Sequence, residues 1–160
     1  MGIALSKSQI QEAVAVISVG KIQGIVIFKQ KEDYVRIIID IKGLNKNHKH
    51  GFHIHESGDL REGCKSCCAH YNPSNTEHSG LDGGHAGDLG NIKTDDEGNC
   101  SISIKTNKFI VDDILGRSII IHEDEDDLGL GNESDSKTTG HSGARIACSV
   151  IGISKDGICK

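Results

Sequence analysis

Residues Tyr34 to Ile41 read YVRIIIDI, with Val35, Ile37, Ile39 and Ile41 alternating against Arg36 and Asp40. Successive side chains of an extended chain leave opposite faces, so apolar residues at every second position make one dry face and one wet one, the signature of a half-buried β-strand. The same character recurs on either side. Ala13 to Val19 (AVAVISV) and Ile25 to Phe28 (IVIF) are short β-prone runs ended by Gly or charged residues. Cys100, Ile102 and Ile104 alternate with Ser101 and Ser103, and Ser118 to His122 (SIIIH) and Ala147 to Ile153 (ACSVIGI) complete the set. No helical period is sustained. An all-β chain is expected, and many short strands between Gly-rich turns favour a sandwich or a barrel, which leave few open edges.

At 160 residues and 17.1 kDa the chain can bury one core, so residues 1–160 are read as a single domain. No apolar run approaches the roughly 20 residues of a membrane-spanning helix, and a soluble protein without a membrane partner is expected. The N-terminal residues, including Ser6, Lys7 and Gln11, lack the charged, apolar and small-residue segments of a secretory signal, which makes the cytoplasm the expected location. The net charge of −5 argues against nonspecific nucleic-acid binding, which needs a basic face. An anionic substrate would need local positive guidance.

Two stretches lack strand character, from about Glu56 to Gly90 and from about Glu123 to Ala144. Loops of that length in a compact domain tend to be functional. They hold four of the chain's 9 histidines, and most of the rest stand just before them. In GFHIHE, His53 and His55 are two apart, so on a strand both rings leave one face and can reach one ion; the pair alone would equally suit two surface histidines. The first loop then supplies His70, His78, His85 and Asp88, three imidazoles and a carboxylate that suit tetrahedral Zn²⁺ in a closed, structural site. His122 ends the SIIIH strand, a rigid place from which to complete a site. Copper favours imidazole and changes oxidation state while zinc does not, so two neighbouring histidine sites suggest one redox ion and one structural ion.

The ordered blocks GFHIHESGD, GC, AHYNP, HAGDLGN, IIIHEDEDDLG, TTGHSGARIAC and VIGIS resemble the copper/zinc superoxide dismutase family, from about Ala13 to Ser154. The resemblance implies a Greek-key β-sandwich or flattened barrel of immunoglobulin-like architecture. It implies an enzyme that disproportionates superoxide anion to dioxygen and hydrogen peroxide. Copper would be held by His53, His55, His70 and His122, and zinc by His70, His78, His85 and Asp88, with His70 bridging the ions and its ring nitrogen carrying a proton between the half-reactions. Arg145 would hold and steer superoxide. Asp126 would link His53 to His78. Cys64 and Cys148 would form a disulfide, which in the chain-entropy model contributes roughly 4 to 5 kcal/mol. A homodimer is implied through apolar surface near the last strand, with Ile151 and Ile153 compatible, and a copper chaperone as a possible partner.

The sequence also departs from the family's pattern. Lys137 falls one position early for a steering lysine, Leu130 stands where a lysine or another leucine is common, His141 where an asparagine is common, and the loop between His78 and His85 is slightly short. Cys67, Cys68, Cys100 and Cys159 are extra to the disulfide pair and are read as packing residues or free thiols. Cys64 and Cys67 make a C-x-x-C that, with His70 and His78, could be taken for a zinc finger or a redox motif. Two rival functions are a copper storage or delivery module, which should offer an exposed exchangeable site such as MxCxxC, and a zinc-only structural domain, which should lack one copper histidine. Met1 to Ser8 contains no cysteine, and no histidine of the set is missing.

Overall fold

A computed structural model describes residues 10–158; the N-terminal stretch Met1 to Ser8 and Cys159 lie outside the described residues. Ten strands carry the fold: β1 (Glu12–Val19), β2 (Ile22–Gln30), β3 (Val35–Lys42), β4 (Lys49–His55), β5 (Arg61–Cys64), β6 (Asp88–Lys93), β7 (Cys100–Thr106), β8 (Ser118–His122), β9 (Arg145–Val150) and β10 (Gly152–Ile153). Three helices of one turn each, α1 (Val111–Ile114), α2 (Ser136–Thr139) and α3 (Lys155–Ile158), interrupt them. No helix among the described residues is long and apolar enough to cross a membrane.

The strands form two antiparallel sheets, one in the order β10-β1-β2-β3-β7 and the other β6-β4-β8-β9. Of the two architectures expected, the open sandwich is the one observed. Alternation decides which residues face inward: Val35, Ile37, Ile39 and Ile41 of β3 are fully buried, and they meet Phe52 and Ile54 of β4 and Ile119 and Ile121 of β8 in one core. The intervening residues of β4 and β8, His53, His55, Ile120 and His122, therefore leave the opposite face of the second sheet. The two long loops cover that face.

The run read as one strand from Ala147 to Ile153 is divided. β9 pairs with β8 in the second sheet, while β10 pairs with β1 in the first, Ala13 opposite Ile153. Ile151 is the crossing point and is fully buried in the core. It is not the apolar surface residue expected near a dimer contact, because a chain that changes sheets must pass through the apolar layer between them. Ile153 is half exposed, at 47 %. The first long loop also holds more order than expected, namely β5, a 3₁₀ turn over Lys65–Cys67 and the start of β6. Cys67 and Cys100 are buried and Cys68 is exposed, none of them in a disulfide.

Candidate metal centre

Two irregularities in strand pairing bring the ligand candidates together. Between β4 and β6, Gly51 stands opposite Asn91, yet His53 stands opposite Asp88, so β6 uses three steps where β4 uses two. The extra residue is taken up at Gly90, whose φ is +78°, a conformation glycine adopts without penalty and the geometry of a glycine bulge. In consequence Leu89 turns into the core and Asp88 turns outward toward His53. Between β8 and β9, Ile121 faces Ala147 but His122 faces Arg145. That second bulge carries Arg145 to the same outer face as His122.

His53, His55, His70 and His122 are all buried, and their ring nitrogens gather within 4.8 Å of one another. In each ring one nitrogen is spoken for by the protein. His53 Nε2 lies 2.6 Å from Asp126 Oδ2, His55 Nδ1 2.8 Å from Cys68 O, His70 Nδ1 2.9 Å from Asp88 Oδ1 and His122 Nδ1 3.2 Å from Gly143 O. The other nitrogen of each, His53 Nδ1 and the Nε2 of His55, His70 and His122, is buried with no partner. Buried polar atoms are ordinarily paired, and four orphaned imidazole nitrogens in one place are the donor set for a nitrogen-seeking cation such as copper.

The second group surrounds Asp88. His70 Nδ1, His78 Nδ1 and His85 Nδ1 lie 2.9, 3.0 and 3.2 Å from its oxygens, and His70 Nδ1 is 3.1 Å from His85 Nδ1. These spacings approach the edge of a tetrahedron whose metal–ligand bonds are ~2.0 Å, about 3.3 Å, as zinc requires. His53 also falls within reach of His70, His78 and Asp88, but its Nε2 is occupied by Asp126 and its Nδ1 belongs with the first group. His70 alone offers a different nitrogen to each group. Asp126, 1 % exposed, completes the frame, with its carboxylate accepting from His53 and lying 2.8 Å from His78 Nε2.

Burial sets the charge state of the first group. It drives the His53 and His55 rings far below their usual range, and His122 down to about 4, with neighbouring histidines adding to the effect. Burial lowers His70 too, against the pull of Asp88. Neutral rings are the metal-ready form. His78 runs the other way: burial would lower it, but Asp126 and Asp88 outweigh burial and push it up to about 9. Burial would raise the Asp88 carboxyl, but hydrogen bonds from His70, His78 and His85 hold it well below the usual carboxylate range.

Beside the first group lies a cavity of about 560 Å³ lined by His55, Cys68, His70, His122, Asp135, Thr138 and Arg145, among others. Arg145 is fixed by an Nη1–H donated to Cys64 O at 2.8 Å. Cys64 is itself disulfide-bonded to Cys148, so the C-x-x-C reading with Cys67 is set aside: Cys67 is buried against that disulfide and Ile120.

The sequence blocks and this geometry are matched by known proteins. The family model for copper/zinc superoxide dismutase (SODC) covers residues 22–151. The chain belongs to the copper/zinc superoxide dismutase family. Among curated relatives, Superoxide dismutase [Cu-Zn] of Paramecium bursaria Chlorella virus 1 is 46 % identical over 92 % of this chain and 81 % of its own length. Superoxide dismutase [Cu-Zn] 5 of Dictyostelium discoideum is 45 % identical over 89 % and 98 %, and Extracellular superoxide dismutase [Cu-Zn] of Drosophila melanogaster 46 % over 83 % and 77 %. The crystal structure of the clock protein EA4 superposes with a TM-score of 0.89 at 35 % identity, covering 95 % of this chain and all of that one.

Within this superoxide dismutase fold, the departures from the family's pattern find their places. Lys137 Nζ sits 3.2 Å from Glu77 on the exposed surface; it does not itself line the Arg145 cavity, although its neighbour Thr138 does. His141 pairs with Asp135 at 2.6 Å. Leu130 is 84 % exposed and touches no ligand candidate among the contacts described. Three residues went unread in the sequence. His50 is buried with its Nδ1 2.7 Å from His122 O, Asn91 brackets the backbone of Asp126 through both its side-chain atoms, and Lys108 reaches into the loop of His85. His50 had a signal, as the third residue of the His48 to His55 series HKHGFHIH. For Asn91 and Lys108 no local signal exists, because their roles depend on chain far away in sequence.

Proposed function

We propose that this chain disproportionates superoxide, with copper held by His53 Nδ1 and the Nε2 atoms of His55, His70 and His122, and zinc held by the Nδ1 atoms of His70, His78 and His85 with Asp88. The observation that carries this reading is the division of His70: its Nε2 is an orphan in the first group, while its Nδ1 is 2.9 Å from Asp88 in the second. Copper supplies, when bound, the one-electron acceptor and donor that two superoxide anions need in turn. The protein does the rest. Asp126 and the backbone carbonyls of Cys68 and Gly143 fix the ring orientations, and the buried, neutral His70 Nε2 is a site able to take up a proton and return it to the cavity. Arg145, anchored on Cys64, offers a fixed cation to an anion entering beside His122.

Metal analysis and a superoxide assay on protein loaded with both ions test the reading. One copper, one zinc and rapid dismutation are expected; bound copper without turnover would replace the enzyme by a storage protein, and zinc alone by a structural one. His122→Ala should abolish turnover and leave zinc in place, since His122 belongs to the first group only. Equal loss of both ions would contradict the assignment. The homodimer is part of this reading as well, resting on half-exposed Ile153 and not on Ile151, and sedimentation of Ile153→Glu against the parent chain measures it.

A further inference from the structure

Lys108 lies between β7 and α1, far in sequence from the loop of His78, His85 and Asp88. Its ammonium nevertheless reaches that loop's main chain. Nζ stands 2.6 Å from Asp88 O, 2.8 Å from Gly83 O and 2.9 Å from His85 O, with Gly80 O further off at 3.3 Å. An ammonium carries three donors, and three carbonyls sit at full hydrogen-bond distance. The lysine's own backbone is held, because Lys108 N–H donates to the Thr106 hydroxyl and the flanking Thr106 and Phe109 are buried.

The same loop is gripped from its other polar side. Asp88 Oδ2 accepts the backbone N–H of Ser79 at 3.1 Å and of His85 at 2.8 Å. One carboxylate thus collects the loop's amides and one ammonium collects its carbonyls. These partners add to the few turn bonds the segment makes itself, Asp88 N–H to His85 O at 3.0 Å and Gly83 N–H to Gly80 O at 3.2 Å, and they tie carbonyls of an irregular segment that a regular ladder would otherwise hold. Two of the three carbonyls belong to His85 and Asp88 themselves.

We propose that Lys108 is a positioning residue for zinc: by binding the main-chain carbonyls of His85, Asp88 and Gly83 it holds two zinc ligands at their coordinating spacing before the ion arrives. The inference rests on the zinc assignment above. It predicts a selective effect, because Lys108 touches neither His55 nor His122.

Lys108→Met keeps the stem of the side chain and removes the donors. Zinc affinity, measured by chelator competition on the otherwise intact protein, is expected to fall about 10- to 100-fold, as for loss of other groups that orient metal ligands. Copper affinity should stay within about twofold. In the metal-free protein, hydrogen exchange at Ser79 and His85 should accelerate relative to the β1–β2 amides. Lys108→Gln, with one donor pair, gives an intermediate zinc affinity and keeps the test usable should the methionine variant not fold. Unchanged zinc affinity in both variants overturns the proposal, and so does equal weakening of copper and zinc, which would make Lys108 a general prop of the fold. A parent protein that binds no zinc overturns the metal assignment instead, a different and separately visible result.

Discussion

His53 stands opposite Asp88 across the β4–β6 pairing only because β6 contains one residue too many. With an even register the residue facing His53 would be Leu89, and the carboxylate would point into the core. A one-residue slip moves every side chain of a strand to the other face, so the bulge at Gly90 sets a carboxylate opposite His53 where an even register would set a leucine.

Gly90→Ala tests this. An L-residue held at φ +78° costs about 1 to 2 kcal/mol, which for a domain of this size lowers the melting temperature by a few degrees. Space is not the obstacle, as a Cβ would meet only Leu81 N at 4.0 Å. Zinc retention should fall with stability, whereas Gly90→Asn, a side chain more tolerant of this region, should lose less of both. Calorimetry and zinc analysis of the two variants check it; equal behaviour of Ala, Asn and Gly would show that the bulge needs no left-handed residue.

Asp126 couples the two groups, and its removal should show it. The carboxylate is buried and touches His53 on one side and His78 on the other. Gly140 lies so near that a Cβ there would overlap Asp126 Oδ1 and His78 Nε2. Asp126→Ala leaves two ring nitrogens buried without acceptors, and both copper and zinc affinity should drop about 10- to 100-fold. Parallel competition titrations would expose a loss confined to one ion, which would refute the coupling.

The strands were legible in two ways, β3 and β7 through period-two alternation, and β1 and β8 as short apolar β-prone runs, β8 being buried on both faces. The candidate ligand set could be assembled from the sequence because histidines in one long loop and at two strand ends suggest a common purpose. What could not be read depends on partners distant along the chain. The glycine that resets β6 looks like any other in HAGDLGN, since a bulge is defined by two strands and not by one. Ile151 has the hydropathy of a surface contact and of a core residue alike, and only the change of sheet between β9 and β10 decides. Lys108 sits in a run, TNKF, whose lysine would be solvated in most proteins; its acceptors lie twenty or more residues away.

Zinc uptake should carry a defined proton dependence. His78 is pushed up to about 9 by Asp126 and Asp88 against burial, so in the metal-free protein it is charged at neutral pH. Its contribution to stability is complete below the unfolded value of about 6.5 and disappears as pH rises through about 9. Zinc needs the neutral ring and must displace that proton. Apparent zinc affinity should therefore rise about tenfold per pH unit between about 7 and 9 and then level off. The depressed rings of His53, His55 and His122 are already neutral there and release nothing. Competition titrations at several pH values measure the slope; a flat profile above pH 7 would mean that His78 is neutral before zinc binds.

The cavity presents an entering anion with a fixed cation and a titrating pair. Arg145 lines the cavity, and so does Asp135, whose negative charge would oppose an entering anion. His141 lies 2.6 Å from Asp135 and is raised above its usual range by that contact, so it cancels the carboxylate while protonated. Both side chains are about half exposed, and screening keeps the effect small. His141→Asn restores the residue common in the family but leaves Asp135 unbalanced. At low ionic strength and pH 6 the second-order rate should fall about two- to threefold, and the difference should vanish near 0.5 M salt or above the pH at which the parent His141 loses its proton. Arg145→Glu, which reverses the fixed charge, should cost far more at every pH and weaken the salt dependence itself. Pulse measurements of superoxide decay across salt and pH separate the two contributions, and a His141→Asn rate equal to that of the parent at low salt would remove the pair from the account of substrate capture.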